Sequence, residues 1–121
     1  MLLKGNRLKN KKDFERIFKQ GKGFKQDFLF LKIIENNLEK TRFGFIVSKK
    51  ISKKAVTRNK IKRQLREIIR HKLKQGQVKK GIDGAFVALQ GIDSKEFGEI
   101  KENAGKLLRK AKILTTDNLT I

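Results

Sequence analysis

The chain has no cysteine, no proline, no tryptophan and no tyrosine, and one histidine among its 121 residues. Without cysteine there are no disulfides and no thiolate metal sites, which suits a reducing cytosol. His71 has no second histidine or cysteine to join it as a metal ligand, so no metal site is expected. The lack of proline leaves glycine and asparagine to punctuate the chain. No run approaches the ~20 apolar residues a spanning helix needs. The start, MLLKGNRLKNKK, turns basic after two leucines and lacks the apolar centre of a signal peptide. A soluble, cytoplasmic protein with no membrane partner is the expectation. Acid is scarce as well, with 12 Asp and Glu against 32 Lys and Arg. Asp13, Glu15, Asp27 and Glu35 stand apart from one another, with no DxD-like pair of the kind that holds two metals in a nuclease. No catalytic residue is assigned to the chain.

What the chain does have is positive charge. The net charge is +20, and a polyanion, nucleic acid first, is the implied partner. Most of that charge lies before residue 76, so one face should be strongly basic and the other ordinary. With 37% apolar and 36% charged residues, the length suits one modest core. The expected organisation is a single RNA-binding domain over residues 1–114 and a disordered tail over 115–121, TTDNLTI.

Residues 10–20 read as a helix, with Asn10 at its start, Asp13 at the capping-box position and Gly21 closing it in a left-handed turn. Phe14, Ile17 and Phe18 form its apolar stripe. FKQDFLFLKII, 24–34, reads as one strand with both faces covered, and RFGFIVS, 42–48, as a second strand pairing back on it. A helix over about 55–74 follows, closed by Gly76. Residues 82–89 read as a buried strand, and Asp93 or Ser94 opens a last helix through about Lys112, with the stripe Phe97, Ile100, Ala104, Leu107, Leu108 and Ala111. Phe24, Phe43, Phe45, Phe86 and Phe97 are assigned to the core. The fold class is α/β (α+β), a small sheet of about four strands in the order α-β-β-(β)-α-β-α.

The most informative stretch is KAVTRNKIKRQLREIIR, 54–70, with seven cations against Glu67 alone. At 100° per residue, Ile61, Leu65, Ile68, Ile69 and Leu73 make the core face, while Asn59, Arg63, Arg66 and Arg70 lie within about 60° of one another on the far side. Solvated helix faces usually mix signs, because like charges at i, i+4 oppose the helix. A row of arginines one turn apart instead suits phosphates, which guanidinium groups grip in two-pronged fashion. Asn59 can bond an RNA edge or cap its own helix, and spacing does not separate the two.

AVTRNKIKRQLREIIR resembles the RNR signature of the bacterial ribonuclease P protein subunit. RLKNKKDFERIFKQGK resembles that family's opening helix, and FGFIVSKKISKKAV its strand and connection into the basic helix. The resemblance implies a small sheet carrying the signature helix through a left-handed βαβ crossover. It also implies the 5′ maturation of precursor tRNA by a ribonucleoprotein whose RNA, served by Mg2+, does the catalysis, one protein pairing with one RNA. Under it, Arg58, Asn59, Lys60, Lys62, Arg63 and Arg66, with Arg70 beyond them, face the catalytic RNA. Phe14 and Phe18 line a cleft for the single-stranded 5′ leader of the precursor, and Lys49, Lys50, Lys53 and Lys54 form its basic border.

The chain departs from the family in carrying Lys60 at the third signature position, and Lys32 near where the family often has tyrosine. Phe28 and Phe30 are then the candidates for stacking from the strand. The alternative function is a structural, ribosomal-type RNA-binding protein with no part in cleavage. A membrane-surface helix is disfavoured, because the apolar face of 55–74 is needed for the core.

Overall fold

The protein, described here for residues 4–114 as a computed structural model, is an α+β fold with three helices and a four-stranded mixed sheet. The elements are α1 (Lys11–Gln20), β1 (Lys22–Gln26), β2 (Leu29–Glu35), β3 (Arg42–Ile46), α2 (Ala55–Lys74), β4 (Ile82–Ala88) and α3 (Phe97–Lys110), with 3-10 turns at Lys4–Asn6 and Ile92–Ser94. The tail expected to be disordered lies outside the described residues.

The sheet order is β1-β2-β4-β3. Two expectations are corrected here. The stretch 24–34 is not one strand: Asp27, at φ 49°, turns the chain so that β1 and β2 form an antiparallel hairpin. Aspartate tolerates this left-handed conformation better than most residues, which lets a turn form without glycine. Nor does β3 pair back on β2. It runs parallel to β4, and β4 pairs antiparallel with β2, so the strand latest in sequence fills the sheet's centre. A parallel pair needs a crossover, and α2 supplies it.

The main core lies on one face of the sheet, under α2 and α3. Leu29, Leu31, Phe43 and Phe86 meet Ile61, Leu65, Ile68 and Ile69 of α2 and Ile100, Ala104, Leu107 and Leu108 of α3. Phe24 and Phe45 pack partly buried against it, whereas Phe97, assigned to the core from its spacing, is 41% exposed on the first turn of α3. That helix starts later than expected, after Glu96, because the 3-10 turn takes up Asp93 and Ser94.

On α2 the aliphatic arc is buried as the wheel requires. Its end is tied by Gly76 N–H to Leu73 C=O and Gln77 N–H to Lys72 C=O, with Gly76 at φ 67°, a Schellman-type stop. α1 ends differently from expectation. Gly21 is extended, not left-handed, and is required by close approach: a Cβ there would come 2.5 Å from Ile17 C=O and 2.7 Å from Ile33 C=O.

Candidate nucleic-acid interface

Among the described residues α1 is the one α-helix on the opposite face of the sheet, and it crosses the strands from β3 towards β1. Three ties fix it. The Arg42 guanidinium of β3 reaches Asp13 at 3.5 Å, the Arg16 guanidinium reaches Asp83 of β4 at 3.1 Å, and Lys32 of β2 donates from Nζ to Phe18 C=O at 2.6 Å. A smaller apolar cluster of Leu8, Ile17 and Ala85, with Phe14 and Ile34 against it, fills the space beneath.

Asp83 is the centre of this arrangement. Its side chain is fully buried, and it accepts from Arg42 Nε at 2.8 Å and Arg42 Nη2 at 2.6 Å, from Arg16 Nη2, and from Asn36 Nδ2 at 2.8 Å. Burial pushes its carboxyl up, but the hydrogen bonds from Arg42, Asn36 and Arg16 and the Arg42 charge outweigh burial and hold it below the usual carboxylate range. Arg42 is held above its ordinary value, chiefly by the same bond to Asp83. One carboxylate thus joins β3, β4, α1 and the β2–β3 turn.

Because paired residues in a sheet point to the same face, the register defines the surface beside α1. Ile46, Val87, Phe30 and Lys25 are cross-strand partners in one row spanning β3, β4, β2 and β1. Ile46, Val87 and Phe30 are half-buried, and they belong to neither of the two apolar clusters. The row between them and α1 is Gly44, Ala85, Lys32 and Gly23, low enough for the Phe14 ring to sit over Gly44 and the Phe30 ring over Gly23. Phe18, one turn beyond Phe14 and so on the same side of α1, is 37% exposed. The result is a trough about 14 Å long, four strands at the usual spacing, walled by α1 and floored by apolar side chains.

The structure separates the predicted cleft residues. Phe18 borders the trough from α1, Phe30 lies on its floor, and Phe14 lies at its β3 end, partly buried. Phe28 does not belong to it. That ring is 6% exposed within the core under the other face, because the Asp27 turn shifts its alternation relative to Phe30. Lys49, Lys50, Lys53 and Lys54 are exposed on the connection that follows β3, next to the Ile46 end of the trough.

On α2, Asn59, Lys60 and Arg63 are exposed, and Lys62, Arg66 and Arg70 are half-buried. Lys54, not Asn59, is the N-cap residue, so Asn59 lies more than a turn inside the helix and the capping role is excluded. Arg70 forms an ion pair with Glu67 one turn away, which holds the Glu67 carboxyl below its usual range. Arg58 turns back instead of outward. Its Nη1 donates to Ser52 C=O and Lys53 C=O, both at 2.9 Å, fastening the basic connection to the helix.

The residues that sequence reasoning missed are Asp83, Arg42, Arg16 and Asn36, and Ile46 and Val87 on the trough floor. A carboxylate inside the apolar run IDGAFVAL was the one signal for the first group. Among the described residues no group of three His, Cys, Asp or Glu side chains is placed to hold a metal ion, and no helix is long and apolar enough to cross a membrane.

Known proteins of one kind resemble this chain in both sequence and fold. Residues 2–112 match the family model described as Ribonuclease P. A ribonuclease P protein component from Pseudanabaena sp. is 38% identical over 115 residues, covering 94% of this chain and 97% of the relative. One from Syntrophomonas wolfei is 40% identical over 111 residues, covering 92% and 91%. The solved structure of the Staphylococcus aureus RNase P protein superimposes with a TM-score of 0.81 at 30% identity, covering 91% of this chain and 98% of that one. With sequence, fold and coverage in agreement over nearly its whole length, the chain belongs to the ribonuclease P protein family.

Proposed function

We propose that this chain is the protein component of a ribonucleoprotein that removes the 5′ leader from precursor tRNA, and that it acts by binding two RNAs at once. The observation that carries the reading is the separation of two RNA-suited surfaces on one rigid domain. The Arg63, Arg66 and Arg70 row of α2 lies on the side of the sheet opposite α1, while the trough of Phe18, Phe30, Val87 and Ile46 lies beside α1.

The arginine row, with Asn59, Lys60 and Lys62, faces the catalytic RNA and neutralises phosphates there. The trough takes the single-stranded leader. Bases stack on Phe18 and Phe30, at about 1–3 kcal/mol per stacked base, while Lys49, Lys50, Lys53 and Lys54 attract the backbone. Hydrolysis itself falls to the RNA, which would use Mg2+, and this chain supplies no catalytic side chain to it. The protein lowers the repulsion between two large polyanions and fixes where the leader lies. One protein per RNA, in the cytoplasm, completes the reading.

The test is cleavage of a precursor tRNA by a bacterial ribonuclease P RNA at low magnesium, with and without the protein. At low magnesium the bare RNA screens its own charge poorly, so the protein should stimulate release of the 5′ leader while cleaving nothing alone. Tight RNA binding without stimulation would instead make the chain a structural RNA-binding protein.

A further inference from the structure

The trough does not stop at Phe30. Its row ends at Lys25 of β1, an edge strand, and the surface continues from there. The last turn of α3 reaches this edge from beneath: Lys110 Nζ donates to Lys25 C=O at 2.9 Å. Immediately beside that bond, Gln26, Lys106, Arg109 and Lys110 line an open dent. Lys25, Lys106, Arg109 and Lys110 are all exposed, and Lys22 stands on the same strand. Among the described residues, the acids near them are Glu102, paired with Lys106 at 3.3 Å, and Asp27 in the adjoining turn. Cations therefore outnumber acids here, although the sequence from residue 76 onwards carries almost balanced charge.

This patch lies at the opposite edge of the sheet from β3, against which α2 packs, so it is not an extension of the arginine row. It is an extension of the trough. A strand following α1 across Ile46, Val87 and Phe30 is delivered to Lys25 and then to the α3 cations.

We propose that the edge of β1 and the last turn of α3 form a second site for single-stranded RNA, which binds phosphates of the leader after it leaves the trough. The proposal rests on the trough being the leader site. A short leader ends within the trough, whereas a longer one reaches Lys25, Lys106, Arg109 and Lys110. The ammonium of Lys110 keeps donors to spare beyond its bond to Lys25 C=O. Gln26 supplies an amide that can bond a ribose hydroxyl or a base edge.

The test uses the holoenzyme assembled with a bacterial ribonuclease P RNA, and precursor tRNAs whose leaders increase in length. The quantity read is the ratio of long-leader to short-leader affinity. A double variant, Lys106→Gln with Arg109→Gln, spares the Lys110 bond; Lys25→Gln probes the same path from β1. Matched thermal melts establish that both fold. The ratio should fall by roughly threefold to tenfold in the double variant, the scale set by exposed charge contacts. Each phosphate that goes unneutralised should also flatten the salt dependence of long-leader binding by about 0.7. An unchanged ratio in the double variant, while Phe18→Ala weakens binding of short-leader precursor relative to mature tRNA, overturns the α3 site and leaves the trough standing. Short-leader precursor binding that Phe18→Ala leaves unchanged relative to mature tRNA removes the trough and this site together. Equal weakening for every leader length, and for mature tRNA, assigns the patch to the catalytic RNA and overturns the proposal.

Discussion

The ring of Phe14 lies so close over Gly44 that a Cβ at position 44 would fall 2.2 Å from the ring's Cζ. Contacts that short do not occur, so a side chain at 44 must displace the ring and with it the middle of α1. Gly44→Ala is expected to destabilise the fold by about 1–3 kcal/mol, the usual cost of overpacking. Urea unfolding at constant m-value measures it, and Phe14→Leu in the same background should recover part of the loss. A change below about 0.5 kcal/mol would show that α1 is not seated through this contact.

Asp83 gives a pH dependence whose sign follows from its surroundings. Its folded carboxyl lies below the unfolded value of about 3.9. Its contribution to stability is therefore fully present above that value and is lost as the pH falls through the lower, folded pKa. Asp83→Asn keeps the shape but leaves Arg16 and Arg42 against a neutral amide, which should cost about 3–5 kcal/mol at pH 7. The gap between wild type and variant should stay constant from pH 7 to about 5 and narrow below about 4. A gap that widened in acid would contradict the assignment.

Arg58 is expected to behave as a fastening for the basic connection, in contrast to Arg63. Arg58→Lys keeps the charge but cannot hold both the Ser52 and Lys53 carbonyls in the same geometry. Stability should drop by about 1 kcal/mol, the net worth of a hydrogen bond, and amide exchange should quicken at the first turn of α2. Arg63→Ala should leave exchange there alone, weaken catalytic-RNA binding and reduce its salt slope by about 1. Identical profiles for the two variants would remove the distinction.

Glu67 is the one acid within the basic helix, and it engages Arg70. Removing its charge should release Arg70 for phosphate and delete a repulsive group. Glu67→Gln is therefore expected to tighten catalytic-RNA binding by a few-fold at low salt, with the gain fading as salt rises. Filter binding across a salt series decides it; weaker binding would mean that the ion pair itself shapes the RNA-facing surface.

Much of this was readable in the sequence where periodicity was strong and interactions local. The α2 boundaries, its buried arc and its outward arginines follow from spacing alone. The hairpin was missed because its turn, Gln26-Asp27-Phe28, has neither glycine nor asparagine and is flanked by aromatics that read as one strand. The partner of β3 was misjudged because alternation tells which face a strand buries and not which strand it meets. Gly44 and Gly84 were the available clues, since each leaves room for a phenylalanine ring, from Phe14 and Phe43 respectively. Phe28 was placed in the cleft by its neighbours in sequence, and the turn before it sends it to the other side. Asp83 was visible as an oddity, but its four bonds come from residues 41 to 67 positions away and no local rule reaches them.

The position of β4 also governs how the chain can assemble as it leaves the ribosome. The strand that joins β2 to β3 is separated from both by α2, so the sheet has no centre until that helix and the following loop have been made. A nascent chain ending before Ile82 holds a lone hairpin, an unpaired β3, and a highly charged helix whose aliphatic side has nothing to cover it. Such long-range closure is slow compared with local helix formation. The basic helix α2 is thus synthesised well before the strand that anchors it, and the sheet and its core can close only once residues 82–88 and the α3 side chains beyond them have been made.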